Sequence, residues 1–186
     1  MGYVFDPERL SEIAQRSVGL PFEEMCRTLI DDLAREYPRH IETRQEWVFN
    51  LASGATGIMN VLHGSLTEYL IIFGTPIGTE AFSGRYPLEI YDFMLSGTMA
   101  TYKAHDPGHA WYTHAGEHAI HPFGAVNGFK FEPDTWALEY GRGLVPGALH
   151  TTVADLALRA VDPWILVQTF KIYGRLVLRE LLQGKI

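Results

Sequence analysis

One cysteine, Cys26, is all that 186 residues contain, so no internal disulfide can hold this fold and its stability has to come from a packed core. A basic tract is also missing. The 15 Lys and Arg stand against 22 Asp and Glu, for a formal charge of −7, which excludes nucleic acid as the main partner because phosphate binding needs a basic footprint. No apolar run approaches the roughly 20 residues that cross a bilayer as a helix; Tyr69 to Phe73 is typical of the longest. The opening Met1-Gly2-Tyr3-Val4-Phe5-Asp6-Pro7 has no apolar signal-peptide core, and Asp6 stands where a myristoylation signal has Ser or Thr. Membrane contact is therefore expected to be peripheral. Two motifs are absent as well: Gly-x-Ser-x-Gly, the nucleophile elbow, and His-x-His, the paired ligands of many barrel metal sites.

What is present describes a single folded domain, with 47% hydrophobic and 20% charged residues. Asp6-Pro7 reads as an N-cap and first turn, followed by Leu10, Ile13 and Ala14 on one face. From Pro21, the residues Phe22, Met25, Leu29, Leu33 and Tyr37 recur at helical spacing until Pro38. Cys26 in this helix reads as a small buried hydrophobe. The stretch from Trp47 to His63 is irregular, with Gly54 and Gly57 three apart, a spacing that suits close internal packing. From Leu66 the chain turns to short β-type runs punctuated by Gly, Pro and Asn: 69–73, 86–93, 98–102, 119–123, 129–131 and 135–140. This spacing predicts an antiparallel barrel or sandwich, hence an α+β fold. Asp162-Pro163 then opens a long helix with Leu166, Phe170, Tyr173, Val177 and Leu181 on one face and Lys171, Arg175 and Arg179 on a basic strip. The domain divides into a mainly helical part (1–65), a β-barrel (66–148) and C-terminal helices (149–186).

Three constellations could carry chemistry. His105, His109, His114, His118 and His121 cluster in the β region with Glu117, but His114-x-x-Glu117-His118 sits among turn signals rather than on a helix, so no metal is expected there. Cys26 lies away from any strand end, which argues against a nucleophile. The third is a set of carboxylates in apolar strands: Glu68, Glu89, Asp92 and Glu139. Trp136-Ala137-Leu138-Glu139-Tyr140-Gly141-Arg142-Gly143 places a charge in a run that otherwise reads as core, and such a charge must be paired or kept neutral. Two inward carboxylates share one proton and so offer an acid and a base together. The same pair could hold a cationic amine in a pocket walled by Tyr69, Phe73, Tyr91, Phe131 and Trp136.

Glu46-Trp47-Val48-Phe49-Asn50, His63 through Thr75, Ser83-Gly84-Arg85-Tyr86, and Glu139-Tyr140-Gly141-Arg142-Gly143 with Pro146 together resemble the family of fungal C-8 sterol isomerases and the animal sigma-1 receptor. The likeness runs nearly end to end. It implies a cupin-like antiparallel β-barrel flanked by N- and C-terminal helices, with the C-terminal helices facing a membrane. It further implies ligand-binding acids at Asp92 and Glu139, Glu89 as another candidate for the second acid, Tyr69 and His121 in the pocket, and no cofactor. The partners it implies are a sterol or other apolar small molecule, cationic amines as ligands or inhibitors, and copies of the chain in a homotrimer, with Ser53 departing from the paired glycine near that contact. The N-terminal membrane-spanning helix that the resemblance implies is not among these 186 residues, and the Met1-Gly2-Tyr3 start favours the expectation of a naturally short, peripheral member over one from which that helix has been removed. The expected place is peripheral to a membrane: the endoplasmic reticulum in a eukaryote, or the cytoplasmic membrane or cytoplasm in a bacterium.

Overall fold

A computed structural model describes residues 2–185 of the chain. Helix α1 (Pro7–Gln15) starts where Asp6 caps it, its side chain accepting from the Arg9 N–H, and α2 (Phe22–Glu36) follows. Ten strands come next: β1 (Trp47–Ala52), β2 (Ala55–Gly64), β3 (Glu68–Thr75), β4 (Thr79–Phe82), β5 (Leu88–Ser96), β6 (Thr98–Lys103), β7 (Asp106–His114), β8 (His118–His121), β9 (Gly128–Phe131) and β10 (Thr135–Gly143). A 3-10 turn (Val145–Ala148), the short α3 (Leu149–Ala154), a π-helical turn (Asp155–Arg159) and the long α4 (Pro163–Leu182) close the chain. Asp162 caps α4 through the N–H groups of Trp164 and Ile165.

The strands form two antiparallel sheets, one ordered β1-β2-β3-β10-β5-β8 and the other β4-β9-β6-β7. Alternation of side chains gives the larger sheet two different faces. One face packs Leu62, Leu70, Ile72, Phe93, Leu138 and Tyr140 against Leu10, Ile13, Leu29 and Leu33 of the N-terminal helices. The other packs Val61, Ile71, Phe73, Met94 and Ala137 against Met99 and Phe131 of the smaller sheet and Ile172 and Leu176 of α4. The result is an α+β fold whose two antiparallel sheets enclose a cavity and whose N-terminal helices cover one side.

Two local readings change. Residues 47–64, which look irregular in sequence, form the β1–β2 hairpin. Ser53 and Gly54 both have positive φ (53° and 92°), the conformation that a two-residue hairpin turn requires, and Ser-Gly is the punctuation that marks it. Gly57 lies against the Phe73 ring, so the small-residue spacing serves internal packing. In α4 the buried residues are Thr169, Ile172, Leu176 and Glu180; of the expected stripe Phe170 and Tyr173 border the cavity, while Trp164, Val167, Leu178, Leu181 and Leu182 are exposed. The helix is apolar nearly all round, so periodicity could not choose its buried side.

Candidate active site

Strand β10 runs between β3 and β5 in the middle of the larger sheet. Its register sets Glu139 directly opposite Asp92 on β5, and Gly141 opposite Tyr69 on β3. Residues facing each other across antiparallel strands have Cβ atoms about 5 Å apart, so the two carboxylates are immediate neighbours on the inner face. A side chain at Gly141 would overlap the Tyr69 ring; its absence lets the phenol lie flat on the strand and donate to Glu139 Oε1 at 2.5 Å.

These three groups line a cavity of about 430 Å³, large enough for a small lipophilic molecule. Its walls are apolar and aromatic: Met59, Val61, Ile71 and Phe73 from the larger sheet, Met99, Phe129 and Phe131 from the smaller, and Phe170 and Tyr173 from α4. By accessible surface Asp92 and Glu139 count as intermediate, yet both are enclosed in protein, because the surface they retain opens on the cavity. Burial raises the pKa of Asp92 well above the ordinary carboxylate range, and the neighbouring Glu139 charge adds to the rise. Burial also raises Glu139, while the Tyr69 hydrogen bond works against it. Among the described residues no cation shifts either group. Both acids are thus raised together, and the phenol favours charge on Glu139 over Asp92.

His121 also lines this cavity. Its Nε2 lies 2.9 Å from the Ala125 carbonyl and its Nδ1 3.3 Å from the Asn127 amide nitrogen, a pattern satisfied by a proton on Nε2 and a lone pair on Nδ1. Burial lowers its pKa, which keeps the ring neutral.

Three expected residues lie elsewhere. Glu89, three positions from Asp92, faces the opposite way, where Arg142 Nε donates to it at 2.8 Å and the Tyr91 hydroxyl at 2.9 Å. Tyr91 stacks on Tyr140 and Phe93 on that same side. Trp136, three positions from Glu139, packs against Phe22 and Trp47 under the helices. In a strand, residues an odd number apart point to opposite faces; that parity was available in the sequence and separates all three from the Asp92–Glu139 pair. The remaining clustered histidines lie outside the cavity, His109 beside Asp106 at 2.9 Å and His114 beside Thr98 at 3.1 Å. Glu68 is fully buried on the helix side as a structural anchor, accepting from Val4 N, Phe5 N and the Tyr140 hydroxyl and pairing with Lys185 at 2.8 Å. The contribution of α4 to the cavity wall had no local signal, because nothing in a helix sequence says which distant sheet it covers.

Residues 1–185 match the family model described as ERG2 and Sigma1 receptor like protein. The C-8 sterol isomerase ERG2 of Gibberella zeae is 36% identical over 187 residues, covering 99% of this chain and 79% of that protein. Sigma non-opioid intracellular receptor 1 of Xenopus tropicalis is 36% identical over 180 residues, 96% of this chain and 81% of the receptor. Among solved structures, the polyketide cyclase RemF of Streptomyces resistomycificus is similar over 54% of this chain and 74% of that one, at 19% identity and a TM-score of 0.44. The Cnp3 cupin domain of Schizosaccharomyces pombe is similar over 47% and 64% respectively, at 11% identity and a TM-score of 0.39.

Proposed function

The chain belongs to the ERG2 and sigma-1 receptor like family, and from that premise we propose that its cavity isomerises a ring double bond of a sterol or related isoprenoid by protonation and deprotonation. The observation that carries this reading is the facing pair of Asp92 and Glu139, enclosed in a mostly apolar cavity where no cation among the described residues shifts either acid. Moving a double bond from C8–C9 to C7–C8 adds a proton at C9, passes through a cation at C8 and removes a proton from C7. Asp92, the better protonated partner, supplies the acid. Glu139, held by Tyr69, takes up the C7 proton, and the pair regains its shared proton by internal transfer. The carboxylate charge also stabilises the C8 cation in a water-poor site. The apolar walls bind the ring system, and the reaction needs no cofactor.

Incubating the purified protein with a Δ8-sterol should yield the Δ7 isomer. Glu139→Gln should lower turnover by about 10²–10⁴-fold, the scale of a lost proton-transfer group; undiminished turnover in that variant would overturn the assignment.

A second reading rests on the same uncompensated charge. A protonated amine resembles the cationic intermediate, and Tyr69, Phe73 and Phe131 offer aromatic faces for it, so the cavity also suits cationic amphiphiles. Tight amine binding with no isomerised product would make the protein a binding module. Product from a non-sterol isoprenoid, and none from the sterol, would reassign the substrate. We further propose that the exposed apolar flank of α4 rests on a membrane surface and that copies of the chain assemble as a trimer; among the described residues no helix is long and apolar enough to cross a membrane. Liposome co-sedimentation and light scattering test these two points.

A further inference from the structure

Outside the cavity, on the far side of α4, a second cluster of chemically able side chains is left incompletely satisfied. Glu180 is fully buried on the inward face of the helix. Its Oε2 lies 2.8 Å from His40 Nδ1, and its Oε1 lies 3.8 Å from His63 Nδ1. The ligand atoms of these three residues all fall within 4.8 Å of one another. They come from three separate places: the segment after α2, strand β2 and helix α4.

The hydrogen bonding does not close. His63 is fully buried, with Nδ1 2.9 Å from the His40 carbonyl oxygen and Nε2 without any partner. Glu180 Oε1 is likewise buried and accepts no hydrogen bond, with Arg179 Nε at 3.6 Å. If Nδ1 of His63 carries the proton, the lone pair on Nε2 is buried unmet. If Nε2 carries it, Nδ1 turns a bare lone pair toward two oxygens. The second arrangement leaves Nε2 unmet as an N–H instead of a lone pair and gives up the bond to the His40 carbonyl, and it is the one in which a cation at Nδ1 can replace that bond. With the protons of His40 and His63 on their Nε2 atoms, both Nδ1 lone pairs and the Glu180 carboxylate lie within 4.8 Å of one another, and neither imidazole changes charge in getting there.

We propose that His40, His63 and Glu180 bind one divalent transition-metal ion of the Zn²⁺ type. Two imidazoles and a carboxylate are a ligand set suited to that class, and they leave a further position open. Closing onto ligand distances of about 2.0–2.2 Å requires the three side chains to draw together. The surrounding charge permits it. Arg175 lies within 3.7 Å of Glu42 and Glu46, and Arg179 is shared between Glu42 at 3.7 Å and Glu180 Oε1 at 3.6 Å, so an ion at Glu180 takes the place of a guanidinium that Glu42 can still hold. His40 is partly exposed, so an ion can enter from solvent. Bound there, it would staple the end of α4 to the barrel. The site shares no residue with the cavity and does not depend on the isomerase reading.

The test uses the full chain without a polyhistidine tag, stripped with chelator and titrated with Co²⁺. One equivalent should bind and give the ligand-field bands of a four- or five-coordinate site. Zn²⁺ should displace it and raise the thermal midpoint, whereas Mg²⁺ should not. His40→Asn, a change at a partly exposed position, should weaken Co²⁺ binding by about 100-fold or more, the loss seen even for residues that only support a ligand. His109→Asn, on the exposed β7 strand, should leave it unchanged. Absence of Co²⁺ uptake by the unaltered chain, or equal uptake by His40→Asn, would overturn the proposal.

Discussion

The two faces of the central strands treat carboxylates in opposite ways. On the helix side, Glu68 meets Lys185, Tyr140 and two backbone N–H groups, and Glu89 meets Arg142 and Tyr91. Burial pushes the pKa of both upward, but these partners outweigh it and both end below the ordinary value. On the cavity side, Asp92, three positions from Glu89 on β5, and Glu139 on the adjacent β10 meet each other and a phenol, and both end raised. The difference teaches that the fold can neutralise a strand carboxylate where it chooses. Lys103 lines the cavity but shifts neither acid, so the lack of a compensating cation beside the pair is a property of that face and not of the sheet.

Substitutions can break this contrast, and the largest effect is expected at the centre of the cavity. Glu139→Gln should reduce turnover by about 10²–10⁴-fold while leaving the fold intact, as judged by circular dichroism. On the other face Glu68→Ala should strand the Lys185 ammonium and two N–H groups, lowering stability by about 3–5 kcal/mol in urea unfolding with no direct effect on the chemistry. The next effect concerns pH. Because Asp92 and Glu139 are raised in the folded state, the unfolded chain loses its protons first as pH rises, and the native state holds more protons between the two values. Stability should therefore fall with rising pH across the window above the ordinary carboxylate range, by about 1.4 kcal/mol for each unit of displacement. Asp92→Asn should flatten that slope and raise the urea midpoint at neutral pH. Glu68, displaced downward, works in the opposite sense: its stabilisation is lost as pH drops. The smallest effect belongs to Glu89→Gln, which should change stability by no more than about 1 kcal/mol, since its partly exposed ion pair is screened by solvent, and should leave turnover unchanged.

Much of this was legible in the residues. Asp6 and Asp162 cap helices where their positions before proline predict, and six of the ten strands fall on β-type runs. The pair at Asp92 and Glu139 was reached through family likeness and through the oddity of charge in an apolar run. Tyr91, Glu89 and Trp136 were grouped with it because composition was read without parity: each is the right kind of residue on the wrong side of its strand. Other features were not accessible to local reading. The inward face of α4 is set by the barrel it covers, and it buries Glu180 because two histidines from distant segments wait there. Strand β7, with its exposed Trp111 and Tyr112, begins in Asp-Pro-Gly-His, which reads as a turn until its pairing with β6 is known.

The Tyr69–Glu139–Asp92 chain has a calorimetric consequence. A cavity that stores one proton between two carboxylates exchanges it when a cation arrives, since the incoming charge is best met by both acids ionised. Amine binding should therefore release close to one proton to the buffer and tighten as pH rises, and the apparent binding heat should vary with the buffer's own ionisation enthalpy. A heat independent of buffer would mean that the cation displaces no proton and that one acid stays neutral beside it.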